Sequence, residues 1–203
     1  MLDRIILDQS IQHLSKDNKL KDLINKYPAP NYTSKDNYFD ALSKSIIHQQ
    51  LSGKVAEIIY KRFLTLFKKE NPEPEQYLQI NNSKLKTIGL SKQKINYIHN
   101  LSIFFINNKT SQLKNLSEED IANKLIPIKG IGQWTIDMFM MFTLGKTNIL
   151  PVDDLGIKKA FKYLYNLKEL PSRQFMKEKS NDWRPYRTIG CYYLWMMIDD
   201  KDV

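Results

Sequence analysis

A chain of 203 residues with 42 % apolar content can bury a core, as one globular unit or two small lobes, and is too apolar for wholesale disorder. Its 31 Lys and Arg against 22 Asp and Glu leave a formal charge of +9, which suits a polyanionic partner: DNA or RNA first, an anionic membrane second. Cys191 is the only cysteine, which excludes an internal disulfide, a Cys-based zinc site and a four-Cys iron–sulfur cluster. His13, His48 and His99 lack ligand spacing, so a structural or catalytic zinc is not expected; no side-chain metal site and no cofactor is assigned, a metal ion at the hairpin carbonyls stays open, and the reducing cytosol is the expected home. No opening segment has the pattern of a signal peptide. Apolar runs such as 194–198 are far too short to cross a bilayer.

The periodicity is helical almost throughout, without a convincing strand. The first 30 residues carry the least pattern. From Phe39, apolar positions recur at Leu42, Ile46 and Ile47. Ser52 is placed to cap a helix whose buried face is expected to carry Val55, Ile59, Phe63, Leu66 and Phe67. "NPEPEQ" at 71–76 and "TIGLSK" at 87–92 break the pattern, and a helix with Ile95, Ile98, Leu101 and Phe105 follows. "SEED" at 117–120 reads as a capping box opening a helix toward Leu125. Another helix runs from about Gln133 to Gly145, a natural stop. "TNILPVDD" predicts an extended segment, because Pro151 disfavours helix in the residue before it. Asp154 then caps a helix with Ile157, Ala160, Phe161 and Leu164 on one face, and a last helix begins near Pro185.

Between the helix ending near Leu125 and the one starting at Gln133 lies "KGIG", a tight Gly-x-Gly turn at Gly130 and Gly132. Helix, tight turn, helix is the layout of a helix–hairpin–helix. Glycines there permit positive φ and let a bulky ligand come close without a Cβ in the way. The free N–H groups opening the next helix, with the positive end of its dipole behind them, suit a DNA phosphate. Ile131, between the glycines, is expected to tuck into the core.

Twenty-one residues beyond Gly132, "PVDDLGIKKAF" places two adjacent carboxylates, Asp153 and Asp154, at a helix start, and the region closes with "WRPYRTIGCYYLWMMID". An N-cap plus a dipole-favouring neighbour is the bland account of such a pair. Together, "KGIGQWT…LGKTNILPVDDLGIKKAF", "IIHQQLSGKVAEIIYKRF", "IGLSKQKINYI" and "WRPYRTIGCYYLW" resemble the helix–hairpin–helix DNA glycosylase superfamily, and within it the 3-methyladenine DNA glycosylase II branch. The segments span most of residues 45–197, in the family's order and spacing.

The resemblance implies an enzyme that flips a damaged base out of double-stranded DNA and hydrolyses its N-glycosidic bond, with alkylated purines such as 3-methyladenine and 7-methylguanine as substrates. It puts Asp154 on the catalytic position, with Asp153 as the alternative and more naturally a structural cap. The nucleophilic Lys of bifunctional relatives is replaced by Trp134, so Schiff-base chemistry and strand cleavage are not expected. Trp134, Trp195 and Met138 match positions lining the base pocket, where aromatic faces attract a cationic base. Met138 sits where some relatives have an aromatic, and Ile136 where a small residue is usual. "HQQLSGK" at 48–54 resembles the loop that plugs the gap left by the flipped base; Gln50 aligns best, with Gln49 and Leu51 next. Gly130, Ile131 and Gly132 form the phosphate clamp. Lys92, Lys94, Arg184 and Arg187 are further candidates for backbone contact.

Three rivals stay open at this point, the most remote a plain helical interaction protein that binds no nucleic acid. A hairpin module that only binds DNA accounts for the charge and the glycines but not for "PVDDLGI" and the aromatic C-terminal helix. A relative acting on oxidised or mismatched bases is disfavoured by Trp134 and by the missing four-Cys cluster. The fold expected is all-α, two helical lobes with a cleft between them. Residues 41–149 carry the hairpin, and residues 1–40 with 150–203 form a second lobe carrying the catalytic Asp. A monomer without membrane association is expected.

Overall fold

The computed structural model describes residues 4–31 and 37–200. In chain order its α-helices are α1 (Arg4–Leu14), α2 (Asn18–Lys26), α3 (Tyr38–His48), α4 (Gly53–Leu64), α5 (Pro74–Leu78), α6 (Asn82–Thr87), α7 (Lys92–Asn107), α8 (Glu118–Leu125), α9 (Gln133–Phe142), α10 (Leu155–Leu164), α11 (Arg173–Lys179) and α12 (Arg187–Asp199). Short 3-10 turns connect some of them, and the described residues contain no strand, so the protein is all-α. None of these helices is long and apolar enough to cross a membrane. The chain divides into two compact units. Unit 1 combines Met1–Ser34 with Met140–Val203, and unit 2 is Lys35–Phe139.

Unit 2 is built around α3 and α7. Asn37 caps α3 by accepting the Asp40 N–H at 2.9 Å, and Phe39, Leu42, Ile46 and Ile47 recur on one face and are buried. The face of α4 differs from its expected composition: Ala56, Ile59, Tyr60 and Phe63 point inward, whereas Val55 is 45 % exposed. Because α4 starts at Gly53, the 3–4 residue spacing runs through 56, 59, 60 and 63, and Val55 falls beside that stripe. Tyr60 belongs to the stripe because its hydroxyl finds a partner, donating to the Asp40 carboxylate at 2.7 Å. Ser52 occupies the N-cap position of α4 without a side-chain capping bond. Ser91 caps α7, whose Ile95, Ile98 and Leu101 are buried, and the Tyr77 hydroxyl donates to the Ile95 carbonyl at 2.9 Å. Ser117 caps α8 by accepting the Asp120 N–H, as "SEED" predicts, and the return bond to the Asp120 carboxylate comes from its hydroxyl instead of the main-chain N–H of a capping box.

Unit 1 gathers α1, α2, α10, α11 and α12. Asp17 caps α2 through the N–H groups of Lys19 and Leu20, and its other oxygen accepts the indole N–H of buried Trp183 at 2.8 Å. Trp183 lies against Gly190 of α12, where a Cβ would come within 3.1 Å of the indole. The segment leading to α10 is not extended throughout. Val152 N–H donates to the Leu150 carbonyl and Asp154 N–H to the Pro151 carbonyl, so residues 151–154 form a turn. Leu150 is non-helical, as the proline after it predicts, and the chain then reverses into α10. The last helix starts at Arg187, two residues after Pro185.

Candidate functional site

In unit 2 the hairpin links α8 to α9. Ile131 N–H donates to the Ile128 carbonyl at 2.9 Å and Ile136 N–H to the Gly132 carbonyl at 3.1 Å, closing the turn on both sides, and Ile131 is buried as expected. The two glycines are there for different reasons. Gly130 has φ +104°, and a Cβ on it would stand 2.3 Å from the Tyr97 ring; packing and backbone both demand glycine. At Gly132 a Cβ would meet nothing within 4 Å, and the residue is exposed. Its open side is where a ligand can approach the first turn of α9.

Gln49 is bound into this structure. Its side-chain amide donates to the Gly130 carbonyl at 2.9 Å, while its own carbonyl and that of Ile47 accept from the Lys94 ammonium, each at 2.7 Å. Lys94 is therefore no backbone-contact candidate: it satisfies the carbonyls at the end of α3, and burial lowers its pKa. Gln50, at φ +56°, and Leu51, 38 % exposed, form the outward tip of the loop before α4. Trp134 on α9 is 43 % exposed, and it lines a cavity of about 360 Å³ with Ser45, His48, Gln49 and Gln50. His48 was not singled out by its sequence. Its Nε2 is buried without a hydrogen-bond partner, with a Glu57 oxygen 3.6 Å away. Burial, and then the nearby Lys44, pushes its pKa below the usual 6.5, so the imidazole is neutral at pH 7. Met138 is half-buried one turn after Trp134, and Ile136 is fully buried, so it shapes the core of α9 instead of a pocket.

In unit 1, Asp154 is half-buried at the N-cap of α10. Its Oδ1 accepts the Ile157 N–H at 2.8 Å and the Trp195 indole N–H at 3.0 Å. Asp154 thus makes the α10 cap that its place before "LGIKKAF" predicts, and Asp153, the other cap candidate, does not. Asp153 instead takes Nε and Nη2 of Arg173 at 2.9 and 2.8 Å, with the Lys158 ammonium 3.9 Å away. A side chain one residue before the cap points away from the helix's free N–H groups, which leaves it to exposed cations. Trp195 lies against Phe142, with ring centroids 5.8 Å apart and planes 32° apart, and Tyr192 meets both rings edge-on. Gly156 makes room for this arrangement. A Cβ there would stand 3.1 Å from Asp154 Oδ1 and 3.2 Å from the indole. Thr188 secures the approach: its hydroxyl donates to the Lys146 carbonyl at 2.7 Å and accepts the Ile149 N–H at 3.0 Å. Arg187, offered as a DNA contact, is buried, and its Nε donates to the Ser180 carbonyl; Arg184 is exposed.

The residues that reasoning from sequence missed had unequal signals. Gly156 is a helix-breaking residue in the first turn of a helix, and Tyr192 sits three residues before Trp195 on the same helical face. Phe142 reaches Trp195 from α9, a meeting that no local pattern announces.

The family model described as "HhH-GPD superfamily base excision DNA repair protein" matches residues 43–185. Schizosaccharomyces pombe DNA-3-methyladenine glycosylase 1 is 28 % identical over 181 residues, covering 87 % of this chain and 79 % of that one. A crystal structure of DNA-3-methyladenine glycosidase from Bacillus halodurans is 33 % identical with a TM-score of 0.84, over 93 % of this chain and 88 % of that one. The S. pombe 3-methyladenine DNA glycosylase in complex with abasic DNA is 27 % identical with a TM-score of 0.83, over 96 % of this chain and 98 % of that one.

Proposed function

The chain belongs to the HhH-GPD superfamily of base excision DNA repair proteins, and from that membership we propose that it hydrolyses the N-glycosidic bond of alkylated purines, 3-methyladenine and 7-methylguanine among them, in double-stranded DNA. The observation that carries this reading is the posture of Asp154, held on one oxygen by the Ile157 N–H and the Trp195 indole. A carboxylate so fixed needs no rearrangement when charge develops in front of it.

Alkylation at purine N3 or N7 makes the base cationic and a good leaving group. As the C1′–N bond breaks, its electron pair leaves with the base, which departs neutral, and the sugar becomes oxocarbenium-like. Asp154 stabilises that sugar most when its charge is greatest, which is what differential transition-state binding requires. Two unit charges ~4 Å apart at an effective dielectric of ~20 interact by roughly 4 kcal/mol. That corresponds to about three powers of ten in rate. The carboxylate also orients the water whose oxygen adds to C1′ and whose proton is released. With Trp134 where a nucleophilic amine would stand, no covalent enzyme–DNA intermediate forms.

In this reading the hairpin holds the strand through main-chain N–H groups beside the open flank of Gly132 and carries no sequence information. Trp134 and Trp195 supply aromatic faces for the cationic base. Gln50 and Leu51 fill the space left by extrusion; Gln49, whose amide is committed to the Gly130 carbonyl, positions that loop.

The test is release of 3-methyladenine and 7-methylguanine from methylated DNA by wild type, Asp154→Asn and Asp153→Asn. Asn keeps a carbonyl oxygen for the α10 cap, so the fold persists. Asp154→Asn is expected to lose about a thousandfold in single-turnover rate while still binding an abasic analogue, and Asp153→Asn to stay near wild type. Equal activity in Asp154→Asn overturns the assignment.

A further inference from the structure

Helix α7 contains no carboxylate in its 16 residues. Its outward face carries Lys92, Gln93, Asn96, Tyr97 and Asn100, the 3–4 residue spacing of a single stripe. With His99 and Lys129 these side chains line a cavity of about 530 Å³ in unit 2. Its character differs from that of an ordinary solvated helix surface. Charged faces usually interleave both signs, and here the lining holds two ammonium groups, three carboxamides, a phenol and an imidazole, with no acid. Among the described residues, no ion pair or hydrogen bond engages the side-chain ammonium of Lys92 or Lys129. Two like charges facing one cavity without a counterion repel each other, and a bound anion relieves that repulsion.

The cavity also adjoins the hairpin. Lys129 immediately precedes Gly130, and Tyr97, which lines the cavity, is the ring that a Cβ on Gly130 would strike at 2.3 Å. Tyr97 thus forms the wall between the two. We propose that this cavity is a second phosphate seat for duplex DNA, in which Lys92 and Lys129 neutralise backbone phosphates while Asn96 and Asn100 donate hydrogen bonds to their oxygens and Gln93 donates to the Tyr97 hydroxyl that walls the seat. It takes the phosphodiester without reading the base, since carboxamides and ammonium groups directed at phosphate specify register and not sequence. The inference rests on the reading that the chain acts on DNA, and it adds a contact area that neither the hairpin nor the loop before α4 supplies.

The experiment is equilibrium binding of wild type and a Lys92→Ala/Lys129→Ala double variant to a labelled duplex carrying an abasic analogue, across a series of KCl concentrations. Each neutralised phosphate contributes about −0.9 to the slope of log K against log salt, so the double variant is expected to have a slope shallower by about 1.8. Asn96→Asp, which places a carboxylate in the cavity, is expected to weaken binding by more than tenfold at low salt and to lose that deficit at high salt. An unchanged slope in the double variant overturns the proposal. So does tight binding of inorganic phosphate or a mononucleotide by wild type, lost in the double variant, when the duplex slope does not move; the seat then serves a free phosphate. Failure of the glycosylase reading looks different: wild type releases no base, yet the slopes still differ.

Discussion

The hairpin of unit 2 and the α10 end of unit 1 each present a candidate functional group at the start of a helix, and they do so by opposite means. At the hairpin the group is the main chain. What the sequence contributes is the absence of side chains, Gly130 where the Tyr97 ring fills the space and Gly132 where a Cβ would meet nothing within 4 Å. At α10 the group is a side chain, and the surroundings are specialised to hold it: the Ile157 N–H, the Trp195 indole, and a glycine at 156 that lets the indole approach. A grip on a repeating polymer works at any register and suits backbone amides. Chemistry at one carbon needs one carboxylate fixed in place.

That contrast can be broken at its structural half first. Gly130→Ala requires a left-handed conformation of a residue with a Cβ, roughly 1–2 kcal/mol, and displacement of Tyr97, roughly 1–3 kcal/mol. A melting experiment should show a large drop in Tm. Gly132→Ala is the control, because its Cβ meets nothing. Its Tm is expected to stay within the ordinary scatter of surface changes, while affinity for an abasic duplex falls. A Tm loss in Gly132→Ala as large as in Gly130→Ala would erase the distinction between the two glycines.

Trp195→Phe probes the other half. It keeps the contact with Phe142 but removes the N–H that reaches Asp154. Hydrogen bonds to charged groups contribute about 1.5–3 kcal/mol. A fall of about tenfold in single-turnover base release, with little change in DNA affinity, is expected. An affinity loss with an unchanged rate would reassign the indole from positioning the carboxylate to holding the base.

The smallest effect is expected beside Trp134. The His48 imidazole gains a proton less readily in the folded protein than at its ordinary pKa of 6.5, chiefly because it is buried. Between the lowered folded value and 6.5 the unfolded chain binds more protons, so stability rises with pH through that window and is lost on acidification. Thermal melts from pH 7.5 down to pH 5 should show the decline, and His48→Gln should flatten it. An identical profile in that variant would place the acid sensitivity elsewhere.

Much of this was legible along the chain, because helix periodicity, caps and tight turns are local. "SEED", Asp154 before "LGIKKAF", and the Gly-x-Gly turn each specify their own few residues through hydrogen bonds to near neighbours. Where reading failed, a distant partner decided. Lys94 looked like an exposed cation until α3 brought its terminal carbonyls to it, and Arg187 until Ser180 did the same. Asp153 and Asp154 are alike in type and adjacent in sequence. The direction of the turn at 151–154 sent one to Arg173 and the other to the helix cap.

The sequence by itself determined an all-helical chain and the place of the hairpin, since each depends on spacings of three to five residues, while the candidate carboxylate came from a resemblance spread over most of residues 45–197. Only the tertiary structure decided what Asp154 is held by, why Gly130 admits no side chain, and that the first described helices close against Trp183 through Asp17. Those outcomes depend on contacts between residues up to 166 positions apart. Backbone preference acts over one turn of chain, whereas close packing of a core settles which distant side chains meet.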